Sequence, residues 1–310
     1  MSNIYSKLFS EIFEESGRFL IHDFNEIKGQ TDNNHSKYNF VISAYKKVFD
    51  VLMQHLEKIK YNGVVVLPQS INIGRSFAFT AQQVIENSSS IKKNISVPTK
   101  NKEGKIEYTK EKLIKIVEED VNCISVKLSN AREEKEVLSK IIAIPIDGLT
   151  AFANGQADFS MVLTLQQASV DKKDDFETQQ VMVYNPLTRD TYSFDKMDGF
   201  ICNKNKIADR DIKPATNISS VFVDNYSKPF SFNLNKLYQI SDVCLNSTSI
   251  FNSIGLLSST TINLLVYHKN DNALLQNLIE FCIKTASFST TMIGEHMLIG
   301  NDKILAKFKK

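Results

Sequence analysis

The chain has 310 residues, 42% of them apolar and 23% charged, enough for one large core or two fused smaller ones without disulfides or metals to hold it together. Its 37 Lys and Arg against 35 Asp and Glu leave a net charge of +2, so no global electrostatic case exists for a nucleic-acid or membrane partner. The four cysteines, Cys123, Cys202, Cys244 and Cys282, are scattered without CxxC spacing, which fits reduced cytoplasmic thiols and neither a bridged secreted scaffold nor a zinc site. Glu11, Glu14 and Glu15 fall where a signal peptide needs an apolar core, and no later run has the length of a membrane span. The expectation is a cytoplasmic protein with no membrane partner.

Along the chain, Ile4, Leu8, Ile12, Phe13, Phe19, Leu20 and Phe24 recur at helical spacing and predict a first amphipathic helix over residues 4–27. A second is predicted over about 43–59, where Val48, Leu52, Leu56 and Ile59 repeat every three or four residues. It leads through a turn into GVVVLP, a short buried strand ending at Pro68.

From about 70 to 139 the chain becomes rich in Lys, Asn and Ser around one amphipathic segment, KEKLIKIVEE. This stretch reads as an inserted excursion lying over the outside of the fold, with either a merely solvated charged face or a partner-binding helix. After it come the strands IIAIPIDG and FSMVLTLQ, then a hairpin whose two strands flank the NPLTRD turn. The last hundred residues mix strands (SSVFVDN, TINLLVYH) with a helix over Ala273 to Lys284, as in an α/β unit.

Four ordered segments carry a resemblance to a known family. The opening helix ESGRFLIHDFNEIKG, the stretch IPIDGLTAFANGQADFSMVLTL, the stretch VMVYNPLTRDTYSFDKMDGFICNKNKI and the closing IGNDKIL are similar to the corresponding segments of the inositol monophosphatase family, of the bacterial inositol-1-monophosphatase and extragenic-suppressor type. The resemblance implies an α/β (α+β) fold, the family's layered α/β/α/β/α sandwich. Residues 1–212 would be an N-terminal α+β part with a large antiparallel sheet, carrying the insertion at about 70–139, and residues 213–310 a C-terminal α/β part. It also implies a homodimer.

The family holds magnesium between the acids of a GEE strand end, both aspartates of a DPIDGT signature and the aspartate of a later WDxAAG helix. Magnesium demands oxygen ligands in octahedral geometry, and paired ions clamp phosphate and activate water. Carried over residue by residue, the resemblance puts Pro68 and Gln69 at the two strand-end acids, Ile144 at the first signature aspartate and Asp147 at the second. Leu149 replaces the threonine that helps to activate water, Asn272 replaces the helix aspartate with Asp271 one residue earlier, and a further acidic motif becomes Asn39 and Tyr45. The chain is a degenerate member by this reading.

Two divalent ions about 4 Å apart repel by on the order of 15 kcal/mol even at an effective dielectric of 20, so Asp147 alone would hold no magnesium or one weakly bound ion. Asp147 is read either as a turn or helix-cap aspartate or as a residual metal ligand, and Asp271 either as a cap for the helix at Ala273 or as a second residual ligand. Gly148 and Leu149 stand where the family cradles phosphate on backbone N–H groups. His268 and His296 read as isolated polar residues and Cys282 as packing.

Three functions follow as expectations. The first is a catalytically impaired phosphatase homologue acting as a binding or regulatory protein, engaging a phosphorylated small molecule or, through residues 70–139, a protein partner. The second is a working magnesium-dependent phosphatase of inositol phosphate or a related monoester. The third is a phosphorylated-ligand binding module.

Overall fold

The computed structural model describes residues 2–29, 34–68, 70–73, 77–86, 88, 98–100, 106–108, 112–120, 123–130, 138–169, 175–206, 218–224, 241–259, 262–268, 272–293 and 296–308. In chain order the elements are α1 (Ser2–Gly29), α2 (Asn34–Lys58), β1 (Gly63–Pro68), β2 (Ser70–Ile73), β3 (Phe77–Thr80), α3 (Ala81–Glu86), β4 (Pro98–Lys100), β5 (Ile106–Tyr108), β6 (Lys112–Asp120), β7 (Cys123–Asn130) and β8 (Ser139–Asp147). There follow α4 (Leu149–Ala153), β9 (Ser160–Ala168), β10 (Phe176–Asn185), β11 (Asp190–Asp195), β12 (Gly199–Cys202), β13 (Asn205–Lys206), β14 (Ile218–Asp224), β15 (Ser241–Ser247), α5 (Ile250–Ser258), β16 (Leu264–His268), α6 (Ala273–Thr285), β17 (Ser289–Ile293), β18 (His296–Gly300), α7 (Asp302–Leu305) and a closing 3-10 turn. The chain forms two compact units, Met1–Pro145 with Leu163–Glu177, and Ile146–Val162 with Thr178–Lys310. The boundary expected near residue 212 falls outside the described residues.

In the first unit α1 and α2 pack along the stripes that their apolar spacing creates. Leu8, Phe9, Ile12, Phe13, Leu20, Phe24 and Ile27 are buried on α1, and Val41, Ala44, Tyr45, Val48, Phe49, Leu52 and Leu56 on α2. Each large side chain so buried is worth roughly 1.5–3 kcal/mol. Two residues read from sequence as part of the α1 stripe, Ile4 and Phe19, are exposed, as is Ile59 just past α2. Helix α2 also starts nine residues earlier than its apolar repeat suggests, at Asn34. The helices are tied by Lys47, whose ammonium donates to both oxygens of the buried Asp23 at 2.8 and 2.9 Å, and by His55 against Glu15 at 2.8 Å.

Strand β1 is buried at every position, as its unbroken apolar run requires. It pairs in parallel with β8 and antiparallel with β7. Gly63 opens it because a Cβ there would lie 2.6 Å from the Ser139 carbonyl oxygen, on a strand whose close approach is sealed by the Tyr61 hydroxyl donating to that same oxygen at 3.1 Å.

The placement expected for the segment between 70 and 139 is corrected here. Lys112–Asp120 is a strand, β6, paired antiparallel with β7, and β7 is paired in turn along the whole of β1. Ile124 and Val126 of β7 are fully buried. Lys112–Asp120 and Cys123–Asn130 are therefore part of the large sheet, and Lys112–Asp120 is a strand and not a helix; its β-branched Ile114, Ile116 and Val117 favour a pleated neighbour over a helix turn.

In the second unit the predicted hairpin is β10 and β11, with Gln180↔Asp195 through Asn185↔Asp190 in register. The Asn185 side chain accepts from the amides of Leu187 and Thr188, the Asx geometry that makes NPLTRD a turn. A separate five-stranded mixed sheet has the order β15-β14-β16-β18-β17. One of its faces packs Val221, Val223, Leu264, Val266 and Leu298 against Ile304, Leu305 and Phe308 from the last turns. Asn301 starts α7 by accepting from the Ile304 amide at 3.0 Å.

Candidate functional site

The site lies within the second unit, where the end of β8 meets the start of α5. Strand β8 runs to Asp147 and stops because Gly148 takes φ +81°, a left-handed conformation open to glycine, and a Cβ at that position would run into the Asp158 carbonyl oxygen. Helix α4 begins at the next residue, Leu149.

Three donors converge on one carboxylate oxygen of Asp147. Oδ2 accepts from the Ser249 hydroxyl at 2.7 Å, the Phe251 amide at 3.0 Å and, more distantly, the Ser160 hydroxyl at 3.4 Å. Ser160 and Ser249 are themselves 3.0 Å apart. Burial pushes the Asp147 carboxyl up to about 7, against the lowering pull of the Ser249, Phe251 and Ser160 donors and with a further push from the charge of Asp158.

Asp158 grips the same turn from the other side. Its Oδ2 accepts from the Thr248 amide, the Ser247 hydroxyl at 3.0 Å and the Ser249 amide at 3.3 Å. The Ser247 hydroxyl also lies 2.6 Å from that of Ser253. Ser249 caps α5, its oxygen accepting from the Asn252 amide at 3.4 Å. Ser160 and Ser249 are fully buried, so neither hydroxyl is open to attack a bound ligand.

The remaining positions singled out from sequence supply little to a metal. Asn272 is the N-cap of α6, its oxygen accepting from the amides of Leu274 and Leu275 at 3.0 and 3.3 Å. The cap expected of Asp271 thus belongs to its neighbour; Asp271 itself and Gln69 lie outside the described residues. Pro68 ends the buried β1 and Ile144 sits half-buried in β8, both in the first unit, as do Asn39 and the buried Tyr45 on α2. Leu149 is buried at the start of α4. Among the described residues no three His, Cys, Asp or Glu side chains gather as a metal ion would need. The donors on Oδ2 leave Asp147 one carboxylate oxygen to offer, so the described residues do not fit a two-magnesium site.

Comparison with solved structures decides the fold. The extragenic suppressor protein suhB of Bartonella henselae matches over 98% of this chain and 97% of its own with a TM-score of 0.58, at 11% identity. Inositol monophosphatase II of Staphylococcus aureus matches over 100% and 95% with a TM-score of 0.58, at 10% identity. The chain has the inositol monophosphatase fold. A third such structure, 2'AMP-bound SaIMPase-II, matches over 99% and 93% with a TM-score of 0.56, at 11% identity. No family model matches the sequence, and no curated protein matches it.

Within the inositol monophosphatase fold, sequence reasoning located Asp147 and Gly148 and missed Asp158, Ser160 and Ser249. A signal for Ser249 exists, since a Ser-Thr-Ser run before the apolar α5 is a cap pattern. None exists for Asp158, whose partners lie about ninety residues away. His268 and His296, read as isolated, are opposed on β16 and β18, buried, with ring centroids 5.4 Å apart. Cys282 is buried on α6, as expected for packing.

Proposed function

We propose that this chain is an inositol monophosphatase-like protein whose magnesium-dependent phosphatase chemistry is impaired, and that it works by binding, with a phosphorylated small molecule as its ligand. The observation that supports this most is the state of Asp147, the one carboxylate left at the core positions of the family pattern. Its Oδ2 is taken by Ser249, Phe251 and Ser160, while Asn272 caps its own helix. The ligand class is supported by SaIMPase-II, a protein of the same fold with 2'AMP bound. A regulatory role through a protein partner on residues 70–139, and a homodimer, belong to the same proposal.

Calorimetric titration of the purified chain with 2'AMP and with inorganic phosphate, in magnesium and in EDTA, tests it alongside an assay for phosphate release. Binding without turnover, equal in both buffers, is expected. Magnesium-dependent release of phosphate at ordinary enzyme rates of about 1–10³ s⁻¹ contradicts the impaired chemistry. Failure of both probes to bind contradicts the ligand class.

A further inference from the structure

We infer that Asp147 and Asp158, bridged by Ser249, form a two-carboxylate clamp that fixes the entry into α5 by hydrogen bonds alone, so that Asp147 is kept for positioning and not for metal. The inference concerns the same site and rests on the impaired reading for Asp147's freedom from metal duty.

Ser249 is the centre of the arrangement because it gives its hydroxyl to one acid and its amide to the other. Between them the two carboxylates satisfy the backbone N–H groups of Thr248, Ser249 and Phe251 and the hydroxyls of Ser247 and Ser249. The Asn252 amide goes to the Ser249 oxygen, and the Ser253 hydroxyl returns to the Ser249 carbonyl at 2.8 Å. A nine-residue helix leaves its first amides without helical partners, and here two acids from distant parts of the sequence supply acceptors to the turn that opens it. An ordinary N-cap needs only the Ser249 oxygen. The second and third acceptors are what a clamp adds.

The wild-type chain is studied in EDTA, so that no metal contributes. Ser249→Ala should lower the folding constant about tenfold in the wild-type background, the effect of orphaning a buried acceptor and amide, and much less in an Asp147→Ala background. Asp147→Asn, which keeps an acceptor oxygen, should retain most of the stability that Asp147→Ala loses. Should Asp147→Ala prove too unstable to study, amide hydrogen exchange supplies the readout: Ser249→Ala must accelerate exchange at Phe251 more than at the amides of α6. Equal effects of Ser249→Ala in both backgrounds, or exchange at Phe251 that merely tracks α6, overturn the clamp. Magnesium stabilising the wild type while this coupling persists in EDTA leaves the hydrogen-bonded clamp standing and overturns the impaired reading together with Asp147's freedom from metal duty.

Discussion

At the scale of single residues, Asp147 carries a consequence for pH. Its carboxyl titrates near 7 in the folded chain against an ordinary value of 3.8, so the folded state holds the proton more tightly than the unfolded one. The stability it contributes is then fully present below about pH 4 and is lost as pH rises through 7, by roughly 4 kcal/mol when complete. Between pH 5 and pH 8.5 the wild type should therefore lose melting temperature, and Asp147→Asn, which cannot ionise, should show a flatter profile with its relative gain at the alkaline end. Parallel profiles for the two proteins would show that Asp147 is not the group responsible. The sequence showed this aspartate and its glycine, since an Asp-Gly after an apolar strand announces a turn. It did not show the ionisation, which is set first by burial, then by the opposing pull of the Ser249 hydroxyl and the push of Asp158, all arriving from elsewhere in the chain.

At the scale of elements, legibility followed the locality of the forces. Helix α1 and the NPLTRD turn of the β10–β11 hairpin are set by residues within a few positions of one another, and both stand where the sequence places them, although Ile4 and Phe19 of the α1 repeat are exposed. Strand β6 was misread because its apolar residues fall in adjacent pairs that a helical and a pleated pattern accommodate equally; its pairing with β7 resolves the ambiguity. Removing residues 70–139 would strip β7 from β1 and expose the edge of a fully buried strand. Such a deletion, bridged by a flexible linker, should unfold or aggregate on expression; a soluble, cooperatively melting product in size-exclusion chromatography and calorimetry would contradict the pairing's importance. At the start of α6, Asn272→Ala should cost about 1 kcal/mol in denaturant unfolding and Asn272→Asp should be nearly neutral, because either side chain can accept from the Leu274 and Leu275 amides. An alanine variant as stable as the wild type would show that the cap is dispensable.

At the scale of the whole molecule, four ordered segments sufficed to indicate the inositol monophosphatase fold at identities near 11%, because glycines, turn residues and apolar runs reflect backbone constraints that outlast most side chains. Chemistry is held by far fewer positions. At those positions Ile144, Leu149 and Asn272 are packed or capping, and the sequence alone left open whether Asp147 binds metal or shapes a turn. None of the helices is long and apolar enough, among the described residues, to cross a membrane.

The central claim, that the fold is kept while its metal chemistry is impaired, is met most directly by the melting temperature of the wild-type chain in millimolar magnesium and in EDTA. Stabilisation by an ion requires a dissociation constant well below the added concentration, and Asp147 with one unengaged oxygen does not supply it. The two curves should superimpose. A clear rise in magnesium that disappears in Asp147→Asn would contradict the account.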